Sequence, residues 1–247
     1  MATVLSGTSG ALYYKPAGTK STFTAANVTN ADNEIVVGTY LNFQVNDKVS
    51  FGTGTGGTLP AGLSASTDVF IRTYTASTGI ATFSATAGGS ELSITDDGTD
   101  GTTPFTIDFA EFQSVGDCRE WSFEVTREEL DTTTIGGTLA QNAPFRTFIT
   151  GFADGSGSAT VYFTDDDTTI ASRLIEDVTQ RQQAGATFKL YMDTVLSSGS
   201  PDDTKSRSIQ LEAVLTSATY AVSPDDAQVV SISFRPTSAP TFDFSKS

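Results

Sequence analysis

The feature that most restricts this chain is the spacing of its apolar residues, which repeats at a period of two in one segment after another. Phe105, Ile107 and Phe109 alternate with polar neighbours, as do Trp121, Phe123 and Val125. The pattern recurs in Phe188, Leu190 and Met192, in Ile209, Leu211, Ala213 and Leu215, and in Val230, Ile232 and Phe234. Successive side chains of a strand point to opposite faces, so each set lines one face of a β-strand. Within 207–222 the phase changes and Ala218, Tyr220 and Val222 align instead, which predicts a bulge or a bend. One stretch departs from the rule. Ile170, Ala171, Leu174, Ile175 and Val178 form a stripe at helical spacing. Asp165, Asp166 and Asp167 suit the positive helix start and Gly185 suits its end, so one short amphipathic helix is expected over about 167–184.

Composition agrees with a β-rich chain. Seventeen Phe and seven Tyr favour strands, and a charged fraction of only 17% does not resemble a disordered chain. The 247 residues suffice for one large β domain or two small ones. The first division falls early. Residues 11–16 read as a short strand closed by Pro16, after which the sequence turns to Thr, Gly, Ala and Ser as far as Pro104. There, apolar runs at 34–37, 41–45, 48–51, 68–74, 80–83 and 92–94 alternate with turn signals such as Asp97-Gly98 and Asp100-Gly101. The expected organisation is a body made of 1–19 and 105–247, interrupted by a small all-β module at 20–104 of roughly six strands. The body's order of elements, strands then a helix then strands, fits an α+β class. The expectation is an antiparallel β-sandwich or part-barrel with one short helix packed on it. Strands are expected near 147–152 and 159–164, and the tail 237–247 reads as an arm.

Several kinds of chemistry are excluded by what is missing. The chain has no histidine, which removes His-based triads and His-containing zinc sites. Its one cysteine, Cys118, can form no intrachain disulfide and reads as a small packed side chain. Gly52, Gly54 and Gly57 satisfy G-x-G-x-x-G, but Pro60 and Gly62 follow where a phosphate-binding helix would have to start, so a hairpin tip is the better reading. Asp96, Asp97 and Asp100 offer oxygen ligands for calcium without EF-hand spacing, and Asp-Gly is a common turn pair. Asp165–Asp167 are adjacent residues at a helix start and cannot face each other across a cleft as a glycosidase pair must. No enzyme, cofactor or metal is expected. A net charge of −15 repels nucleic acid and anionic membranes, so tight DNA binding is not expected either. The first ten residues lack a basic region followed by an apolar run, which points to folding in a cytoplasm.

The segment 119–167 carries a resemblance. It reads R-E-W-S-F-E-V-T, then R-E-E-L-D-T-T-T opening a polar loop, then F-R-T-F-I-T-G-F-A-D-G-S-G-S-A-T-V-Y-F-T-D-D-D before the helix. This succession resembles the tail tube (major tail) proteins of long-tailed bacteriophages, over about 105–236 with 11–16 as the family's first strand. The 20–104 segment, with T-L-P-A-G-L and V-F-I-R-T-Y, resembles a small β module that decorates phage virion proteins. The resemblance implies a homo-oligomer: rings of six, stacked into a tube, with neighbouring sheets joined edge to edge. It implies a virion location after assembly in the host cytoplasm, contact with tape measure and terminator proteins, and viral DNA passing without tight binding. The loop 127–144 would be the arm that docks on the next ring. It would act through Arg127, Glu128, Glu129, Leu130, Asp131, Thr132, Thr133, Ile135, Gly136, Gly137, Asn142 and Pro144. The alternatives are another tail component (terminator, baseplate hub, or decoration or fibre protein) and a carbohydrate-binding surface β protein.

Overall fold

The computed structural model describes residues 9–115, 118–132, 146, 148–162, 170–197, 200–221 and 228–244. The chain opens with β1 (Ala11–Lys15) and then leaves it for β2 (Ser21–Phe23), β3 (Val28–Thr29), β4 (Glu34–Val36), β5 (Lys48–Gly52), β6 (Val69–Thr75), β7 (Ile80–Ser84) and β8 (Phe105–Phe109). It returns through β9 (Gln113–Ser114), β10 (Cys118–Asp131), β11 (Phe148–Tyr162), helix α1 (Ile170–Asp177) and β12 (Thr187–Asp193). A small hairpin of β13 (Leu196–Ser197) and β14 (Ser200–Pro201) precedes β15 (Arg207–Ala221), β16 (Val229–Pro236) and β17 (Thr241–Asp243).

The fold is mainly β with every named pairing antiparallel, and it has two principal sheets. The body is an eight-stranded sheet in the order β10-β11-β16-β15-β12-β1-β9, with β17 added beside β15. It curls far enough that the start of β10 approaches β1, giving a part-barrel. Helix α1 packs on β15 and β16, burying Leu174 in a core with Leu12, Phe188, Leu211 and Ile232. An aromatic column runs through that core. Phe188 stacks on Tyr14 at 4.6 Å and on Phe234 at 4.4 Å, which ties β1, β12 and β16 together. The second sheet has seven strands in the order β2-β8-β5-β6-β7-β4-β3, and its core, around Phe23, Phe51, Ile71, Phe83 and Phe105, shares no residue with the first.

The sequence-based expectations need correction at particular places. Phe105–Phe109 alternates as expected but pairs with β2 and β5, so it belongs to the inserted sheet and not to the body. Alternation sets which side chains point inward, and any sheet with a buried face can use it. Residues 41–45 also alternate, yet they form no strand, because Asn42 turns into a buried polar junction while Phe43 enters the lobe core. Residues 92–94 form no strand either. The strands expected at 147–152 and 159–164 are one strand, β11. Its glycines look like turn residues, but Gly157 lies under the Phe234 ring, where a Cβ would sit 2.2 Å from Cε2. Helix α1 covers eight residues and stops at Asp177, and Gly185, at φ +89°, turns the chain into β12 instead of ending the helix. Asp165–Asp167 lie outside the described residues. The tail does not hang free: β17 pairs with Ser208, Ile209 and Gln210. The expected change of phase in β15 is a bulge at Thr216, between the pairs Leu215↔Phe234 and Ser217↔Ser233.

Candidate assembly surface

A two-stranded ribbon built from β10 and β11 leaves the body of the sheet. Up to Gly157, β11 is held on both sides, pairing with β10 and with β16. The ladder with β16 runs from Gly157↔Phe234 to Tyr162↔Val229. Pro236, at the end of β16, lies against Gly155 and has no N–H with which to carry pairing further. From there β10 and β11 pair only with each other, from Glu124↔Ser156 to Asp131↔Phe148. At the usual rise per residue this ribbon is roughly 25 Å long.

Within the body the ribbon strands are amphipathic. Trp121 and Phe123 are half-buried against the core while Ser122 and Glu124 face solvent, as the alternation predicts. Beyond Phe123 the core ends and the apolar residues continue without cover. Val125, Leu130, Phe148 and Ile149 are all exposed, and Phe152 is 88% exposed. A second bulge explains Phe152. Between the pairs Arg127↔Ala153 and Glu129↔Thr150, β11 spends one residue more than β10, which re-aims the side chains there. Leu130 stands directly opposite Ile149, a cross-strand apolar pair of the kind that stabilises sheets when something covers it. Among the described residues no strand pairs with the far edge of β10.

Of the residues expected to form a docking loop, Arg127, Glu128, Glu129, Leu130 and Asp131 are the end of strand β10 and not loop. Thr132 follows the strand directly. Thr133, Ile135, Gly136, Gly137, Asn142 and Pro144 lie outside the described residues. The five strand positions read as loop because R-E-E-L-D does not alternate, and a ribbon exposed on both faces imposes no alternation. Phe148, Ile149 and Phe152 belong to the same surface, within the strand expected near 147–152. Their signal was an apolar cluster beside a polar run with no matching helix or strand to bury it.

Two depressions flank the ribbon. One, of about 470 Å³, lies at its root between Phe123, Val125 and Ala153 on one side and Pro236, Pro240 and Phe242 on the other. The second, of about 320 Å³, sits where the part-barrel stays open, beside Cys118, Trp121 and Tyr191. Burial pushes the Cys118 thiol up to about 11, so it is a poor nucleophile at neutral pH. The outer face at the ribbon's base is a hydroxyl-rich strip, with Ser122 and Ser158 hydroxyls 2.9 Å apart and Thr160 facing Ser231.

The other candidates from the sequence serve as local structure. Gly57 N–H donates to the Gly54 carbonyl in a tight turn, and Gly54 presses on the Thr103 carbonyl where no Cβ would fit. Asp96 accepts from the amides of Ala61 and Gly98, and Asp100 from that of Ala25. No cluster of His, Cys, Asp and Glu among the described residues has the arrangement of a metal site. No helix among them is long and apolar enough to cross a membrane.

No family model and no curated protein matches the chain. Among solved structures, it is similar to a chain in the virion of a native gene transfer agent particle, with a TM-score of 0.39 and 17% identity. That match covers 53% of this chain and 88% of the other. It is also similar to a chain in the tail of an empty gene transfer agent particle of C6 symmetry, with a TM-score of 0.40, 17% identity, and coverage of 54% and 87%.

Proposed function

We propose that this chain is a structural subunit of a phage-like tail, the tail tube protein, which forms stacked six-membered rings around a channel for DNA. The observation that carries the reading is the ribbon: about eight residues of each strand leave the sheet with apolar side chains on a surface that a lone subunit does not cover. An isolated two-stranded ribbon is marginal in water, so one of this length fits a chain whose native state includes neighbours. The open edge of β10 suits the sheet-to-sheet joining of subunits within a ring, and the ribbon with the 133–145 segment suits docking between rings. The sequence resemblance to tail tube proteins points the same way. The Ser- and Thr-rich outer face, with Glu120 and Glu124, would line the channel, where an acidic, hydroxylated wall lets DNA slide without holding it. The inserted seven-stranded lobe would decorate the outside. Tape measure and terminator proteins are the partners in this reading, with no membrane involved.

Negative-stain images of the purified chain test it. Rings or tubes with a central channel are expected, and a deletion of 135–142 should leave folded subunits or single rings that do not stack. A chain that stays monomeric at high concentration, alone and with other tail proteins, overturns the reading. Rings that never stack even in the intact chain would favour a terminator or hub.

A further inference from the structure

The two sheets meet through a joint made almost entirely of buried polar groups. Arg173 of α1 is the largest fully buried side chain among the described residues, and its hydrogen-bond partners are both on the inserted lobe. It grips Asp47 with both Nη atoms, at 3.0 and 2.7 Å, and Nη2 also donates to the Asn42 carbonyl at 2.7 Å. Its guanidinium lies over the ring of Phe109, which is buried but belongs to neither core. One turn further along the helix, Asp177 accepts from the Tyr14 hydroxyl and the Ala17 amide on the body, and from Asn42 Nδ2 on the lobe at 2.5 Å. The Asn42 amide donates to the Gly18 carbonyl, and the Gly18 amide to that of Ala184. Lys15 reaches the Phe109 carbonyl at 2.7 Å. Gly18 has φ +71°, and a Cβ there would lie 2.9 Å from the Gln182 carbonyl, so three segments close tightly on one point.

We propose that this joint is a releasable latch. Arg173 and Asp177 hold the seven-stranded lobe at a set angle, and the lobe swings on residues 16–20 and 110–112 when they let go, with both cores intact. The physical reason is the chemistry of the joint. Separating two apolar faces exposes them to water at a large cost, whereas separated Arg, Asp and Asn side chains regain hydration. For a buried ion pair, desolvation and attraction nearly cancel, so the closed and open forms are close in energy. Each lobe keeps its own apolar core, so nothing in either core opposes the motion. Helix α1 is the next described element after the ribbon strand β11, so the latch anchors the lobe to the same stretch of chain that carries the ribbon. The inference does not depend on the tail reading.

Hydrogen exchange of the full chain, followed by mass spectrometry, tests it. The double variant Arg173→Met with Asp47→Asn removes both charges, so neither is left buried alone. Peptides containing Gly18 and Asn42 should exchange at least tenfold faster, while peptides of β12 and of β6 and β7 keep their protection. Asn42→Ala, which deletes the Nδ2 hydrogen bond to Asp177 and keeps the backbone bonds to Arg173 and Gly18, should give a smaller increase at the same peptides and serves if the double variant does not fold. Unchanged protection of the joint in the folded variants overturns the latch. So does protection lost from both cores together, which would make the joint part of a single core.

Discussion

The inserted lobe and the body solve the same problem, how to end a β-sheet, in opposite ways. The lobe's sheet ends in β2 and β3, strands of three and two residues, and its large apolar residues are nearly all inside. The body's sheet has one short edge, β9, but its other edge is β10, fourteen residues long, which continues past the core as a ribbon with Val125, Leu130, Phe148, Ile149 and Phe152 uncovered. Short edges are how a sheet avoids unwanted pairing, and a long apolar edge is how it invites a partner. The lobe's edges are thus kept short, whereas the body's ribbon leaves its apolar residues exposed.

The largest effect expected from breaking this contrast is at Leu174, which is fully buried in the body core. Leu174→Asp places a charge there without a partner and should cost about 5 kcal/mol, enough to unfold the body. Urea unfolding should then retain a transition from the lobe alone. A lobe that melts with the body would erase the distinction between them. Phe105→Ala probes the other side. Phe105 is fully buried in the lobe core, so truncation should cost about 3–5 kcal/mol and lower the lobe's transition, leaving near-ultraviolet signals of the body unchanged.

The joint between the two should respond to pH. Burial pushes the Asp177 carboxyl up to about 6 from 3.8, against the lowering pull of its hydrogen bonds from Tyr14 and Ala17 and of the nearby Arg173, while Glu176 raises it further. Because the folded value is the higher one, its contribution is fully present below about pH 3.8 and is lost as pH rises to about 6, on the order of 3 kcal/mol in all. Asp177→Asn keeps the shape and removes the charge, so the difference in denaturation midpoint between pH 4 and pH 7 should shrink. Some slope should survive, because burial also raises the Asp47 carboxyl against the lowering effect of Arg173. An unchanged slope would mean that Asp177 keeps its charge in the folded protein across this range.

Gly157→Ala asks whether the ribbon's root is packed as tightly as the lobe. A Cβ there meets the Phe234 ring, which is itself stacked on Phe188, so a loss of about 1–3 kcal/mol in thermal unfolding is expected. The smallest stability effect and the largest assembly effect fall together on the ribbon. Phe152→Ser and Ile149→Ser should change monomer stability by about 0.5 kcal/mol or less, since both residues already face water. In the same samples, sedimentation should show that rings or tubes no longer form. Assembly that survives both substitutions would place the subunit contact elsewhere.

The sequence by itself determined a good deal. Period-two alternation identified most body strands and which of their side chains point inward, and the change of phase in β15 located a bulge, because both are properties of one strand's own geometry. The helical stripe marked α1 for the same reason. What alternation cannot encode is which sheet a strand joins. Phe105–Phe109 went to the lobe, residues 41–45 to the polar joint and Thr241–Asp243 to the body's edge, each through partners distant in the chain. The ribbon was hidden for a related reason. Alternation appears only where one face is buried, and residues 127–131 are exposed on both, so they read as loop, while 147–152 reads as a strand but not as one continuous with 159–164. Arg173 is the clearest case: on the sequence it is a polar residue beside an apolar stripe, and only its reach to Asn42 and Asp47, distant in the chain, makes it the centre of the joint.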